Sequence, residues 1–153
     1  MENMDEVLRE RAANIRMLVL DVDGVLTDGK LYFDHQGNES KAFNARDGLG
    51  MKALQRCGIE VAVITGRVCH AVTHRMNQLG IKHVYQGQVK KLSAFLELLE
   101  LTGLDAQQVC FAGDDWIDLP VLSRVGLAVS VANGEEHVKQ QAHWITSNKG
   151  GEG

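Results

Sequence analysis

Apolar residues fall along this chain in two alternating patterns. Short runs, apolar nearly throughout, occupy Met17–Val22, Glu60–Ile64, His83–Tyr85, Val109–Ala112 and Leu127–Val129, with a weaker run at Trp144–Thr146. Between them lie Leu49–Cys57, Cys69–Leu79, Lys91–Leu101, Leu119–Val125 and Glu135–Gln141, whose apolar positions recur at helical spacing. Unbroken apolar runs suit parallel strands covered on both faces. Their alternation with helices predicts a doubly wound α/β fold around a mostly parallel sheet. One stretch breaks the alternation. "KLYFDHQGNESKAFN" reads as two short strands around a "DHQGN" turn, a β-hairpin inserted at about residues 30–45. No repeat, low-complexity segment or Pro/Gly-rich linker interrupts the chain, so one domain over residues 1–153 is expected.

In a doubly wound sheet, ligands bind beyond the carboxyl ends of the strands. The residues that follow each strand are therefore informative. The first strand ends in Asp21 and Asp23, with Gly24 next. The second, "VAVITGR", delivers Thr65, Gly66 and Arg67, and the third leads through a loop to Lys90 and Lys91 at a helix start. The fourth, "VCFAGDDWID", delivers Asp114, Asp115 and Asp118. Clustered carboxylates repel one another unless a cation holds them ionised, and all-oxygen ligands with room for water suit Mg²⁺. Mg²⁺ beside a hydroxyl, a lysine and turn amides makes a phosphate site. There one carboxylate can attack phosphorus while its neighbour handles protons. Two-residue spacing would place the Asp21 and Asp23 side chains on one side of an extended segment, and Gly24 would permit a sharp turn.

These motifs resemble those of the haloacid-dehalogenase superfamily of phosphohydrolases. "DVDGVLTDG", "VITGR", "QGQVKK" and "GDDWID" match its four motifs in order and span most of the chain. The resemblance implies a Rossmann-like sheet with Asp21 as nucleophile and Asp23 as general acid/base. It implies Thr65 and Lys91 on the phosphoryl group, and Mg²⁺ held by Asp21, Asp114 and the main-chain carbonyl of Asp23. Asp115 and Asp118 would lie near the metal or orient its ligands. Lys91 is preferred to Lys90 because the family places its lysine at this position before "xxAF".

The stretch from "DGVLTDG" to "VITGR" further resembles the phosphatases of 3-deoxy-D-manno-octulosonate 8-phosphate (KDO 8-phosphate) and their relatives in sialic-acid activation. That likeness implies no separate cap domain, and a homotetramer in which the hairpin supports the subunit interface. A hairpin this short cannot cover a sugar-sized ligand alone. The implied substrate is a sugar-acid phosphate, an octulosonate or a nine-carbon sialic-type acid. The octulosonate would place the enzyme in lipopolysaccharide synthesis. In this family a Gly-rich stretch such as "SNKGGEG" leads into a further C-terminal helix or tail, which is expected to be missing after residue 153.

The arginines bear on substrate. Mg²⁺ and Lys91 already serve the phosphate, so Arg46, Arg67 and Arg75 suggest a second anion such as a carboxylate. Arg75, eight residues after Arg67, would share its helical face. Asp28 and Asp47 read as turn or cap residues, His35 as solvated, and His70 and His74 as a surface helix face. Met51, Leu54 and Ile59 read as core. Asp5, Glu6, Arg9 and Glu10 read as the charged face of an N-terminal helix.

Composition narrows the alternatives. A net charge of −4 argues against a nucleic-acid surface, and no apolar run approaches a bilayer's thickness. The N-terminus, "MENMDEVLRERAANIRM", is too charged for a secretory signal. Three widely spaced cysteines, Cys57, Cys69 and Cys110, suit free thiols in a reducing cytoplasm. A signalling receiver domain uses similar groups but carries its acidic pair after the first strand and its phosphoacceptor on a middle strand. Here "DVD" comes first and "GDD" follows the lysine. A catalytically idle relative acting as a binding module would be expected to lack some of the carboxylates, and all are present.

Overall fold

The computed structural model describes residues 6–153; Asp5 lies outside the described residues. Six parallel strands form one sheet: β1 (Met17–Leu20), β4 (Glu60–Ile64), β5 (His83–Tyr85), β6 (Val109–Gly113), β7 (Leu127–Ser130) and β8 (Trp144–Ile145). Their order is β5-β4-β1-β6-β7-β8. β1 sits in the middle, with Met17 opposite both Glu60 and Val109. From β1 the chain winds outward through β4 and β5, then returns to β6 on the other side of β1. This reversal opens the crevice in which doubly wound sheets bind ligands, at the ends of β1 and β6.

Helices cover both faces. α2 (Ala45–Arg56) and α3 (His70–Leu79) lie on one side, where Leu20, Val63, Met51 and Met76 belong to one core cluster. α4 (Lys91–Thr102), α5 (Leu119–Leu122) and α6 (Glu136–Gln141) lie on the other, around Val19, Ile64, Phe95 and Phe111. The central strands are buried nearly end to end, which is why their sequences do not alternate. α1 (Glu6–Ala13) buries no residue and is tied to the body by Arg11, whose guanidinium donates to the Gly126 carbonyl at 2.7 Å.

The hairpin forms as expected. β2 (Tyr32–Phe33) and β3 (Glu39–Ser40) pair antiparallel. Asp34 closes the turn by accepting from the Gln36 and Asn38 amides. Asp28 is a turn residue, accepting from the Lys30 amide and the Tyr32 hydroxyl. His35, His70 and His74 are exposed, and all three cysteines are free thiols. Met51 is buried, whereas Leu54 and Ile59 are half-buried at the edge of the core.

Three local expectations need correction. β1 ends at Leu20 rather than Val22, because the Val22 carbonyl accepts the amides of Val25, Leu26 and Thr27 and so closes a turn. Asp23 therefore sits in the turn, not in an extended segment beside Asp21. α2 begins four residues before Leu49, capped by the Asn44 side chain, which accepts from the Arg46 amide. α3 begins only at His70, so Arg67 precedes the helix and shares no helical face with Arg75.

Candidate active site

Asp21 leaves the end of β1 buried at 4 % exposure. Its amide donates to the Ala112 carbonyl of β6, which fixes the backbone at the crevice. Lys91, at the start of α4, has a fully buried side chain. Its Nζ lies 2.7 Å from Asp21 Oδ1 and 2.6 Å from Asp118 Oδ1. Burial works against the ammonium, but Asp21 and Asp118 outweigh it and hold the Lys91 pKa above the ordinary lysine range. Lys90, its neighbour, is exposed.

Asp114 follows β6. Ligand oxygens of Asp21, Asp114 and Asp118 lie within 4.8 Å of one another. Asp114 Oδ1 is buried and has no hydrogen-bond partner. Burial, then the charge of Asp21, pushes the Asp114 pKa up to about 8. Burial and Asp118 push Asp21 up to about 6, against the pull of Lys91. Asp118 has a different environment. Beyond Lys91 it accepts the amides of Asp114 and Asp115, so its oxygens brace the loop and the lysine. Asp115 is exposed and caps the following turn by accepting from the Trp116 amide.

Two glycines make this packing possible. Gly24 has φ +90°, and a Cβ there would fall 1.9 Å from Asp114 Oδ2. Gly113 leaves room for Asp118, whose Cβ and Cγ would lie 2.6 Å from a Cβ at that position.

Thr65 is buried at the end of β4, held by backbone hydrogen bonds to Tyr85 and Gln88. Gly66 and Arg67 follow on the same rim. Arg67 is exposed and grips Glu39 of the hairpin with two nitrogens, at 3.0 and 3.3 Å. Arg75 lies against Gly48 in α2, where Asp47 is the carboxylate it acts on. Arg46 is exposed on α2, next to Gly153.

Two residues of the site, Glu39 and Lys41, lie outside the four motifs. Lys41, just after β3, is 2 % exposed along its side chain and hydrogen-bonds both Asp23 and Glu39. Burial opposes its charge, but Asp23 and Glu39 prevail and raise its pKa. The available signal was the two-residue spacing of Glu39 and Lys41 in the strand-like run of the hairpin, which puts both on one face where the chain stays extended.

The donor set fits a hard divalent cation. Asp21, Asp114 and Asp118 would place three carboxylates against the single ammonium of Lys91. With all three ionised, that leaves about two negative charges uncompensated in a mostly buried site, and an orphaned carboxylate oxygen among them.

Residues 82–153 match the model of the haloacid dehalogenase-like hydrolase family. The chain is 50 % identical over 149 residues to the 3-deoxy-D-manno-octulosonate 8-phosphate phosphatase of Yersinia pestis, covering 97 % of this chain and 79 % of that protein. The chain belongs to the 3-deoxy-D-manno-octulosonate 8-phosphate phosphatase family. The same Yersinia pestis phosphatase, in a crystal structure, superposes with a TM-score of 0.94 at 49 % identity, over 95 % of this chain and 79 % of that one. The Moraxella catarrhalis phosphatase, solved in complex with magnesium, phosphate and KDO, gives 0.93 at 39 % identity, over 97 % and 85 % of the two chains.

Proposed function

We propose that this chain is a Mg²⁺-dependent phosphomonoester hydrolase, a single catalytic domain that converts KDO 8-phosphate to KDO and phosphate. The observation that carries the reading is the carboxylate cluster at the ends of β1 and β6, with Lys91 inside it and Asp114 Oδ1 unpartnered. Asp21 and Asp114 would hold the cation with their carboxylates and Asp23 with its main-chain carbonyl. When bound, Mg²⁺ supplies charge neutralisation for the phosphoryl oxygens and keeps both carboxylates ionised.

The protein's own groups then account for two steps. An Asp21 carboxylate oxygen attacks phosphorus, the ester P–O bond breaks, and Asp23 gives its proton to the departing sugar oxygen. Water next attacks the aspartyl-phosphate, losing a proton to Asp23, and phosphate leaves as the Asp21 carboxylate is restored. Lys91 keeps the Asp21 oxygen aligned and, with the Thr65 hydroxyl, binds the phosphoryl group. Asp118 fixes Lys91, and Asp115 shapes the loop that carries Asp114.

Arg67 is the cation on the loop beside Thr65, and with Gly66 it is assigned the carboxylate of the sugar acid. Glu39 takes the Nε and Nη2 edge of the guanidinium and fixes its orientation, which leaves Nη1 for the sugar-acid carboxylate. Arg46, exposed on α2, and Arg75, beside Asp47, are the further cations proposed for that second anion.

The hairpin exposes Leu31, Tyr32 and Phe33 at 50, 41 and 57 %, and Val68 and Val89 on the neighbouring loops are also open. Clustered apolar exposure of this kind marks an interaction surface. It supports the proposed homotetramer with the hairpin at the subunit interface; three free thiols are in keeping with the proposed cytoplasmic location. No helix among the described residues is long and apolar enough to cross a membrane.

Phosphate release tests the reading, measured with and without Mg²⁺ on KDO 8-phosphate, a nine-carbon sialic-type 9-phosphate and neutral hexose phosphates. Mg²⁺-dependent preference for KDO 8-phosphate is expected. Preference for the nine-carbon acid would overturn the substrate, and silence on all of them would overturn the enzyme.

A further inference from the structure

The hairpin does more than expose an apolar edge. It folds back so that Lys41 reaches Asp23, eighteen residues earlier in the chain. The Lys41 side chain is almost fully enclosed, while that of Asp23 is 21 % exposed. Nζ donates to Asp23 Oδ1 and, at 3.1 Å, to Glu39 Oε1. Glu39 in turn accepts from Arg67 at both of its oxygens. Asp23, Lys41, Glu39 and Arg67 thus form one alternating chain of charges. It runs from the DxD turn, through the hairpin, to the loop after β4.

The geometry points to Lys41 as a positioning residue for the general acid/base, delivered to the site by the hairpin. This inference rests on the phosphatase reading above. A carboxylate on a turn has free rotation about its side-chain bonds, and proton transfer requires a fixed oxygen within hydrogen-bond reach of the leaving group. Lys41 removes that freedom. With Oδ1 committed to Lys41, Oδ2 is the oxygen left to carry the proton to the sugar oxygen as the P–O bond breaks. It then takes a proton from the attacking water as phosphate is released. Glu39 holds Lys41 from its other side, so the ammonium is anchored at two points rather than one. A buried lysine with no such task would be a poor choice for a hairpin strand, since enclosing an ammonium is costly unless its partners need it.

The inference predicts an effect that depends on the leaving group. An alkyl alcohol leaves poorly and needs the acid, whereas p-nitrophenolate leaves without one. In Lys41→Met, kcat on KDO 8-phosphate should fall about 30- to 100-fold, at or below the lower end of what a positioned general acid supplies, because Asp23 itself remains. On p-nitrophenyl phosphate the fall should be at least about tenfold smaller. KM for KDO 8-phosphate should move much less than kcat, and Lys41→Arg should recover part of the alkyl-ester rate. Equal losses on both esters in a folded Lys41→Met protein would overturn the inference while leaving the phosphatase reading intact. Wild-type enzyme inactive on KDO 8-phosphate and on p-nitrophenyl phosphate alike would overturn both. Should Lys41→Met melt below the assay temperature, Lys41→Gln keeps a donor for Asp23 without the charge. The same contrast between the two esters then decides the question.

Discussion

Lys91 is the residue whose removal tests the site most directly. Its ammonium contacts Asp21 and Asp118 at 2.7 and 2.6 Å with no solvent exposure. At an effective dielectric of about 20, each such contact is worth roughly 6 kcal/mol of Coulomb attraction before the cost of burying the charges. Desolvation cancels much of that. Removing one partner of a buried pair nonetheless costs about 3–5 kcal/mol, because the remaining charge is left uncompensated. Methionine fills nearly the same volume as the lysine stem, so Lys91→Met changes charge with little cavity. In metal-free buffer we expect a loss of about 3–5 kcal/mol in urea denaturation, equivalent to roughly 10 °C in melting temperature for a chain of this size.

Two further readouts distinguish charge from packing. The stranded carboxylates can escape by taking up protons, so the loss should be larger at high pH than at low. Mg²⁺ compensates the same carboxylates as Lys91, so its stabilising effect should be greater in the variant than in the wild type. Adding Asp118→Asn should recover about 1–3 kcal/mol, since one unpaired charge goes with it. Hydrolysis should fall at least about 100-fold in either variant, because the phosphoryl group loses its cation. A loss below about 1 kcal/mol, with no change in the response to Mg²⁺, would refute the account of Lys91 as the counter-charge of this cluster.

Three other outcomes follow from the geometry. Gly24→Ala adds a Cβ 1.9 Å from Asp114 Oδ2 at φ +90°, so calorimetric Mg²⁺ affinity should drop at least about tenfold. Gly37→Ala, at φ +83° with nothing within 4 Å, should share only the backbone cost of about 1–2 kcal/mol and leave Mg²⁺ binding alone. In metal-free buffer, stability should fall as pH rises toward 8. Asp114 is raised from 3.8 to about 8 in the folded protein, so its contribution is complete below about pH 4 and lost as pH rises through 8. Asp21, raised to about 6, adds to the same slope, and saturating Mg²⁺ should flatten it in thermal scans. Finally, the proposed tetramer should be seen for the wild type in light scattering and lost in Phe33→Ser, and a monomeric wild type would refute the hairpin interface.

The sheet was legible because its central strands are buried on both faces. Apolar runs such as "VAVI" and "VCFA" permit little else between helical segments. The carboxylates could be placed from topology, since each acidic motif follows its strand, whereas the choice of Lys91 over Lys90 came from the family resemblance. What failed was local and depended on turns. The end of β1 is decided by three amides converging on the Val22 carbonyl, a hydrogen-bond pattern that an apolar run does not announce. The start of α2 is set by Asn44 rather than by apolar spacing, because Ala45–Gly48 carries little hydrophobic signal. Counting helical turns from Arg67 to Arg75 assumed a helix across residues 67–69, where the chain is still loop. Lys41 was invisible for a different reason. Its partner lies across a folded hairpin, and only the fold-back brings it to Asp23.

In the proposed mechanism, that fold-back gives the two aspartates different surroundings. Asp21 and Asp23 share a motif but not an environment. Asp21 is buried at the sheet end and gripped from α4 by Lys91, which suits a nucleophile that must keep one oxygen aligned with phosphorus. Asp23 sits in the turn, more open to solvent and gripped from the hairpin by Lys41, which suits a group that must meet first a leaving alcohol and then water. Two carboxylates acquire two roles when their surroundings differ, and here each has its own lysine from its own structural element. Exchanging the environments would therefore be more damaging than weakening either one. In the proposed mechanism, an Asp21 without Lys91 would lose the alignment of its attacking oxygen, and an acid buried as deeply as Asp21 would not reach the substrate oxygen.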